Sequence, residues 1–142
     1  MKNDPIYLTR NDYHRLTSLL YEYLEKKLAE PAILHHLYIE IERAIKVDSH
    51  EINPKVITMN STVVYTLDDS QPEKITISYP EHTFPVRKFI EEKIKSIFDP
   101  LCVALLGYRA GSSFNWNNAG KTVKVFINEI MFQPEASHLY YL

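Results

Sequence analysis

Residues 97–116 read IFDPLCVALLGYRAGSSFNW and carry the clearest local signals for the fold. Asp99 is a favourable helix N-cap, and Pro100 suits the first helical position, where its missing N–H removes no hydrogen bond. The apolar run Leu101–Leu106 then predicts a short buried helix. Gly107 fits the position just after that helix, where the chain must adopt a positive φ. The stretch therefore predicts a helix with a defined start and end.

Predicted β-strands lie on both sides of this helix. Residues 110–112 form a predicted turn, and Ser113–Asn117 after it alternates between polar and aromatic side chains. Other short segments rich in Val, Ile, Thr and Tyr predict further strands: Val56–Met59, Thr62–Leu67, Lys74–Tyr79 and Thr122–Phe132. The last of these changes phase near Glu129, which predicts a β-bulge. The connections are too short for crossovers, so we expect antiparallel pairing.

The first third of the chain has the pattern of two amphipathic helices. Thr9 and Asp12 have the spacing of a capping box, and apolar residues then recur every three or four positions to about Ala29. Pro31 interrupts this pattern, and a second apolar stripe extends to about Val47. Because the connection is so short, we expect the two helices to form an antiparallel hairpin, a short coiled coil.

We expect two structural units. Residues 1–52 would form the hairpin, and residues 53–142 a small antiparallel β domain with a short helix, which makes the chain an α+β protein. The polar segment Asp48–Pro54 has the composition of a linker between them. Within the β domain, Glu81–Lys95 predicts a short helix after Pro85.

Composition excludes several functional classes. Hydrophobic residues make up 45% and charged residues 24% of the 142 residues, so extensive disorder is not expected. The formal net charge of −2 lacks the basic excess that direct nucleic-acid binding needs. Cys102 is the only cysteine, and no apolar run approaches the ~20 residues of a membrane span. We therefore expect a soluble, cytoplasmic protein without disulfides, membrane contact or sequence-specific nucleic-acid binding.

No motif for catalysis, a cofactor or a metal ion is recognisable. His35 and His36 are adjacent, so on a helix they point about 100° apart and do not form a chelating pair. Cys102 lies in an apolar helix, where a buried structural thiol is expected rather than a nucleophile. Asn60 and Ser61 are expected to satisfy backbone groups of a turn. The prediction is a protein with no catalytic residue, cofactor or metal site.

The order of these elements also resembles a known family. A strand, Asp-Pro, a short helix ending in ALLG, a glycine-containing turn and a strand ending in Trp are similar to the C-terminal FKBP-like domain of the GreA/GreB transcription elongation factors. The match is closer to their relative Rnk, the regulator of nucleoside diphosphate kinase. Three further pieces resemble Rnk in the same order: VITMNSTV at 56–63, SYPE at 78–81 and FQPEASHLYYL at 132–142. The resemblance implies an FKBP-like domain preceded by a short coiled-coil arm.

The resemblance also implies an RNA polymerase partner and a binding loop. In the Gre factors, the loop before the short helix contacts the polymerase at the mouth of its secondary channel. The matching residues here are Phe98, Asp99 and Pro100, with Leu101 nearby.

The arm of the Gre factors places acidic residues beside the catalytic metal of the polymerase. The matching hairpin tip of this chain contains Glu25, Lys26, Lys27 and Glu30, which do not reproduce the acidic pair of the family. The implied function is a non-enzymatic transcription regulator that competes with Gre factors and does not stimulate transcript cleavage.

Other interpretations of the same residues stay open. The hairpin is equally compatible with two helices that only bury their apolar stripes, and the Asp99 loop with a plain helix start that places Phe98 in the core. An FKBP-like fold also admits a peptidyl-prolyl isomerase or a protein-interaction module, although no isomerase motif surrounds Phe114 and Trp116. A third alternative is an adaptor in nucleotide metabolism. The sequence does not indicate the oligomeric state.

Overall fold

A computed structural model of the chain describes residues 5–80 and 93–140. Within these residues there are three α-helices, seven β-strands and a final 3-10 helix. In chain order they are β1 (Tyr7–Thr9), α1 (Arg10–Lys26), α2 (Pro31–Arg43), β2 (Ile45–Val47), β3 (Thr62–Leu67), β4 (Glu73–Ser78), β5 (Lys93–Ser96), α3 (Pro100–Leu105), β6 (Ser113–Asn118), β7 (Lys121–Phe132) and the 3-10 helix (Pro134–Ser137). The predicted α+β class is confirmed.

The main sheet has five strands in the order β5-β4-β3-β7-β6. Its pairings are antiparallel except for β4 with β5, which run parallel. The predicted bulge in β7 is confirmed, because the register with β3 shifts on either side of the pairs that join Val63 to Ile130 and Val64 to Glu129. Strand β5 lies at one edge of the sheet and was not predicted. The helix predicted after Pro85 lies outside the described residues.

The predicted helical hairpin is present, with corrected ends. Helix α1 begins after Thr9, whose side chain accepts a hydrogen bond from the backbone N–H of Asp12, and ends where Lys27 turns to a φ of 54°. The prediction that the second helix extends to Val47 is wrong. Residues Ile45–Val47 instead form β2, which pairs in parallel with β1. The hairpin returns the chain to its own start, so the β-branched Ile45 and Val47 gain a strand partner in β1.

The predicted strand Val56–Met59 is also wrong. Val56 makes only an isolated bridge with Arg109, and Ile57 exchanges hydrogen bonds with the backbone of residues 107 and 108. The backbone of this segment is hydrogen-bonded to the loop after α3, so it does not pair with a strand of the main sheet. Ser61 has the predicted turn role, since its hydroxyl accepts the backbone N–H of Thr58 at 3.0 Å.

Helix α3 lies at the centre of the core and has the predicted caps. Asp99 accepts a hydrogen bond from the backbone N–H of Leu101, and every residue from Leu101 to Leu106 is buried. Gly107 has a φ of +86°, and a Cβ there would lie 2.8 Å from the Cβ of Ile6. The surrounding cluster of buried side chains draws on both helices of the hairpin and on strands of the main sheet. No helix in the described ranges is long and apolar enough to cross a membrane.

Candidate functional site

The predicted binding loop is held by hydrogen bonds on both of its sides. The Oδ1 atom of Asp99 accepts the backbone N–H of Leu101 at 3.0 Å, and the hydroxyl of Ser96 accepts the backbone N–H of Phe98 at 3.1 Å. The Nζ atom of Lys95 lies 3.4 Å from the second carboxylate oxygen of Asp99. The loop therefore presents one conformation, and its carboxylate is oriented by the helix that it caps.

The four predicted loop residues differ in exposure. Pro100 is exposed, whereas Asp99 and Phe98 are half-buried and Leu101 is 8% exposed. The ring of Phe98 stacks on that of Tyr23 in α1, with centroids 4.3 Å apart and an interplanar angle of 26°. We call this pair the distal contact. The surface available to a partner consists of Pro100 with the outer edges of Asp99 and Phe98, because Leu101 packs inward.

The hairpin tip lies close to this loop. Tyr23 precedes Lys27 by about one helical turn, which corresponds to a rise of about 5–6 Å. Helix α1 has 17 residues and a length of about 25 Å. Glu25, Lys26, Lys27 and Glu30 are all exposed or partly exposed, and their formal charges cancel. The tip therefore extends only about one turn beyond the distal contact and carries no net negative charge.

One face of the hairpin exposes apolar side chains. Tyr21 is 70% exposed, Leu24 61%, Leu28 55% and Tyr38 52%. Several of them line a groove of about 330 Å³ between α1 and α2, together with Leu34 and His35. Contiguous exposed apolar surface of this kind is typical of protein-binding faces.

The three sequence pieces that resemble Rnk meet in the interior, at the start of α1. Asp12 accepts the hydroxyl hydrogen of Tyr79 at 2.9 Å and the backbone N–H of Met59 at 3.1 Å. The neighbouring Thr58 donates its hydroxyl hydrogen to Glu135 at 2.7 Å, and this hydroxyl lies 2.9 Å from that of Ser61. We call these six residues the root cluster. The sequence predicted only the capping position of Asp12, because its other partners lie far away along the chain.

The two carboxyl groups of the root cluster are buried. Burial raises the pKa of Asp12 from 3.8 to about 7, and the negative charge of Glu135 adds to this effect. The hydrogen bonds from Tyr79 and Met59 and the charge of Arg15 act in the opposite direction. Burial also raises the pKa of Glu135, against the hydrogen bond from Thr58. The root cluster is therefore a place where a proton can be held near neutral pH.

One group among the described residues has the composition of a metal site. Ligand atoms of Asp48, His50 and Glu51 lie within 4.8 Å of one another. However, Asp48 already pairs with Arg10 at 2.9 Å, and His50 and Glu51 are exposed. Exposed groups of this kind are common without a metal ion, so the cluster supports no assignment.

The residues considered for other chemistry are packed into the interior. Cys102 is fully buried as predicted, and burial raises its pKa well above the usual range of a thiol, so a thiolate is disfavoured. Phe114 is 8% exposed and stacks on Tyr108 with centroids 4.9 Å apart. Phe114 therefore packs against Tyr108 in the core.

Comparison with known proteins gives a consistent set of relatives. No protein-family model matches the sequence. The chain is 31% identical over 129 residues to the regulator of nucleoside diphosphate kinase from Escherichia coli K12. The match covers 85% of this chain and 90% of the relative. The protein of the same name from Shigella flexneri matches with the same identity and coverage. Among solved structures, the prokaryotic transcription elongation factor GreA/GreB from Nitrosomonas europaea has a TM-score of 0.69 and 31% identity, covering 92% of this chain and all of that one.

Proposed function

The chain belongs to the family of the regulator of nucleoside diphosphate kinase, which is related to the GreA/GreB transcription factors, and we propose that it regulates transcription by binding RNA polymerase. In this proposal residues 53–142 form the docking domain and residues 1–52 the arm. The chain acts without catalysis of its own and without stimulating transcript cleavage.

The distal contact is the observation that carries this proposal. It joins the loop of Asp99 and Pro100 to α1 about one turn from the hairpin tip, and we infer from this that loop and tip present one continuous surface at the same end of the molecule. A partner that docks on the loop therefore meets the tip as well. The exposed apolar face of the hairpin adds surface suited to a protein partner.

The short tip without net charge supports the proposal that the chain does not stimulate transcript cleavage. Stimulation of cleavage requires carboxylates that reach a metal ion inside the polymerase, and the tip offers Glu25 and Glu30 balanced by Lys26 and Lys27. An arm that extends one turn beyond its docking loop stays near the surface of a channel. The expected effect is competition with cleavage-competent Gre factors for the same site.

The test is binding of the full chain to core RNA polymerase in competition with a cleavage-competent Gre factor. We expect the wild-type chain to displace the Gre factor and Asp99→Arg to lose most of this competition. Asp69→Arg is the matched control, because it reverses a charge in the exposed turn between β3 and β4. Asp99→Asn separates the charge from the helix cap, since asparagine also caps well.

Two results would overturn the proposal. Folded wild-type chain that does not bind the polymerase would remove the partner. Binding accompanied by faster transcript cleavage than polymerase alone would keep the partner and refute the inactive arm.

A further inference from the structure

The root cluster joins four segments that are distant in sequence. Asp12 lies in the first turn of α1, Thr58 to Ser61 form the turn before β3, and Glu135 lies in the final 3-10 helix. Tyr79 follows β4 and donates to Asp12 across 67 residues of chain. The cluster is thus the polar attachment between the start of the hairpin and the β domain.

The two carboxyl groups bind consecutive residues of one turn. Glu135 accepts from the side chain of Thr58, and Asp12 accepts from the backbone of Met59. Asp12 is 5% and Glu135 9% exposed, so water screens their mutual repulsion poorly. Buried carboxylates that bind neighbouring residues of one turn repel each other when both are ionised, so a form that retains one proton is favoured.

The charged and titratable groups facing the pair come from each surrounding element. In the described residues they are Arg15 from α1 and Tyr79 from the end of β4, while the turn at Thr58 contributes hydroxyl and amide groups only. The guanidinium of Arg15 lies 3.7 Å from the ring centre of Tyr79. Its charge favours ionised Asp12 but is the weakest of the influences on that group.

We propose that the root cluster is a proton-dependent latch, which holds the hairpin on the β domain while its carboxyl groups retain a proton and weakens this attachment when both are ionised. The proposal stands independently of polymerase binding. With such a latch, the orientation of the hairpin relative to the β domain depends on pH in the neutral range.

The direction of the effect follows from linkage. The pKa of Asp12 is about 7 in the folded chain and 3.8 as its ordinary value, so the closed latch binds more protons than the open one between these values. Opening therefore becomes easier as the pH rises from about 4 to about 7 and levels off above that. The equilibrium constant for opening of the latch should increase by up to about tenfold per pH unit within this window.

The test is hydrogen exchange of the full chain at pH 5 to 8.5, with each rate corrected for intrinsic exchange. We expect protection of the α1 amides to fall as the pH rises to about 7, while amides of β3 and β7 change less. Asp12→Asn keeps the shape and an acceptor oxygen but cannot ionise, so its α1 protection should be nearly independent of pH. Asp69→Asn, in an exposed turn, is the control and should behave as wild type.

A second measurement is independent of any variant. A ¹³C NMR titration of the Asp12 carboxyl in the wild-type chain should give a midpoint near 7. A midpoint near 4 would overturn the proposal, as would parallel pH profiles for wild type and Asp12→Asn. An equal loss of protection in α1 and in the main sheet would also overturn it, because the opening would then be global unfolding.

Discussion

Two of the contacts between the hairpin and the β domain differ in kind. At its start, the root cluster is buried and polar, and hydrogen bonds of defined geometry join its residues. Nearer the tip, the distal contact is a single stack of the half-buried rings of Tyr23 and Phe98. The root cluster is therefore held by directional hydrogen bonds, and the distal contact by aromatic packing that can adjust.

This difference predicts that the two ends of one helix tolerate substitution to different degrees. A buried polar group that loses its partner costs about 1–3 kcal/mol, so the root cluster tolerates little change. An aromatic pair contributes about 0.5–1.5 kcal/mol beyond its buried area, so the distal contact can vary without loss of the fold. The exposed loop and tip lie at the tolerant end, where a binding surface can be altered at small cost to stability.

The largest expected effect lies next to the root of the hairpin, where β1 packs on the loop after α3. Gly107 sits where the loop after α3 meets β1, and its carbonyl accepts the backbone N–H of Tyr7 at 3.1 Å. An alanine Cβ there would lie 2.8 Å from Ile6 and would also force alanine to a φ of +86°. We expect Gly107→Ala to lower the free energy of unfolding by about 3 kcal/mol or more, measured by urea denaturation.

The control for this prediction is Gly111→Ala. Gly111 has a φ of +90°, but a Cβ at this position would meet no other atom within 4 Å, so only the backbone cost of about 1–2 kcal/mol applies. Equal losses in the two variants would show that close packing of β1 on this loop contributes nothing to stability, and the segment leading into the root would then tolerate change as readily as an open turn.

The parts of the fold that were predictable depend on neighbours in sequence. Asp99, Pro100 and Gly107 specify α3 through local capping, and the strand Thr62–Leu67 has the predicted bounds. Strands β1, β2 and β5 were missed, because short polar and apolar segments become strands only when a distant partner is available. Tertiary pairing overrides local preference in such segments.

The candidate site shows the same division. The binding loop stays a prediction from the resemblance to a family motif, and the cap at Asp99 is the part of it that local sequence specifies. The partner of Phe98 was not predicted, since nothing near Phe98 in sequence indicates Tyr23. The root cluster was missed for a similar reason. The sequence predicts Asp12 only as part of a capping box, because Met59 and Tyr79 are far from it along the chain.

A smaller effect is expected at the distal contact. Tyr23→Ala and Phe98→Ala should each lower the free energy of unfolding by about 1–2 kcal/mol, because the rings are half-buried. The double variant should lose less than the sum of the two, with a coupling energy of about 0.5–1.5 kcal/mol. Urea denaturation of the four proteins measures this coupling.

Phe126 provides the control for that cycle. It is 41% exposed and lies on β7. The loss of stability caused by Phe126→Ala should therefore simply add to that of Tyr23→Ala, with no coupling energy. A coupling energy near zero for Tyr23 with Phe98 would mean that the stack does not hold the arm, and the continuous surface of loop and tip would lose its support.

The smallest effect distinguishes the two roles of Asp99. Asp99→Ala removes the cap of α3 and should cost about 1 kcal/mol, while Asp99→Ser keeps a cap and should cost less. Lys95→Ala should change stability by less than about 1 kcal/mol, because its pair with Asp99 is partly exposed. If Asp99→Ser keeps the stability of the wild type yet loses competition for polymerase, the carboxylate acts on the partner. If it keeps both, Asp99 serves only to start the helix, and the contact surface must lie on Pro100 and the tip.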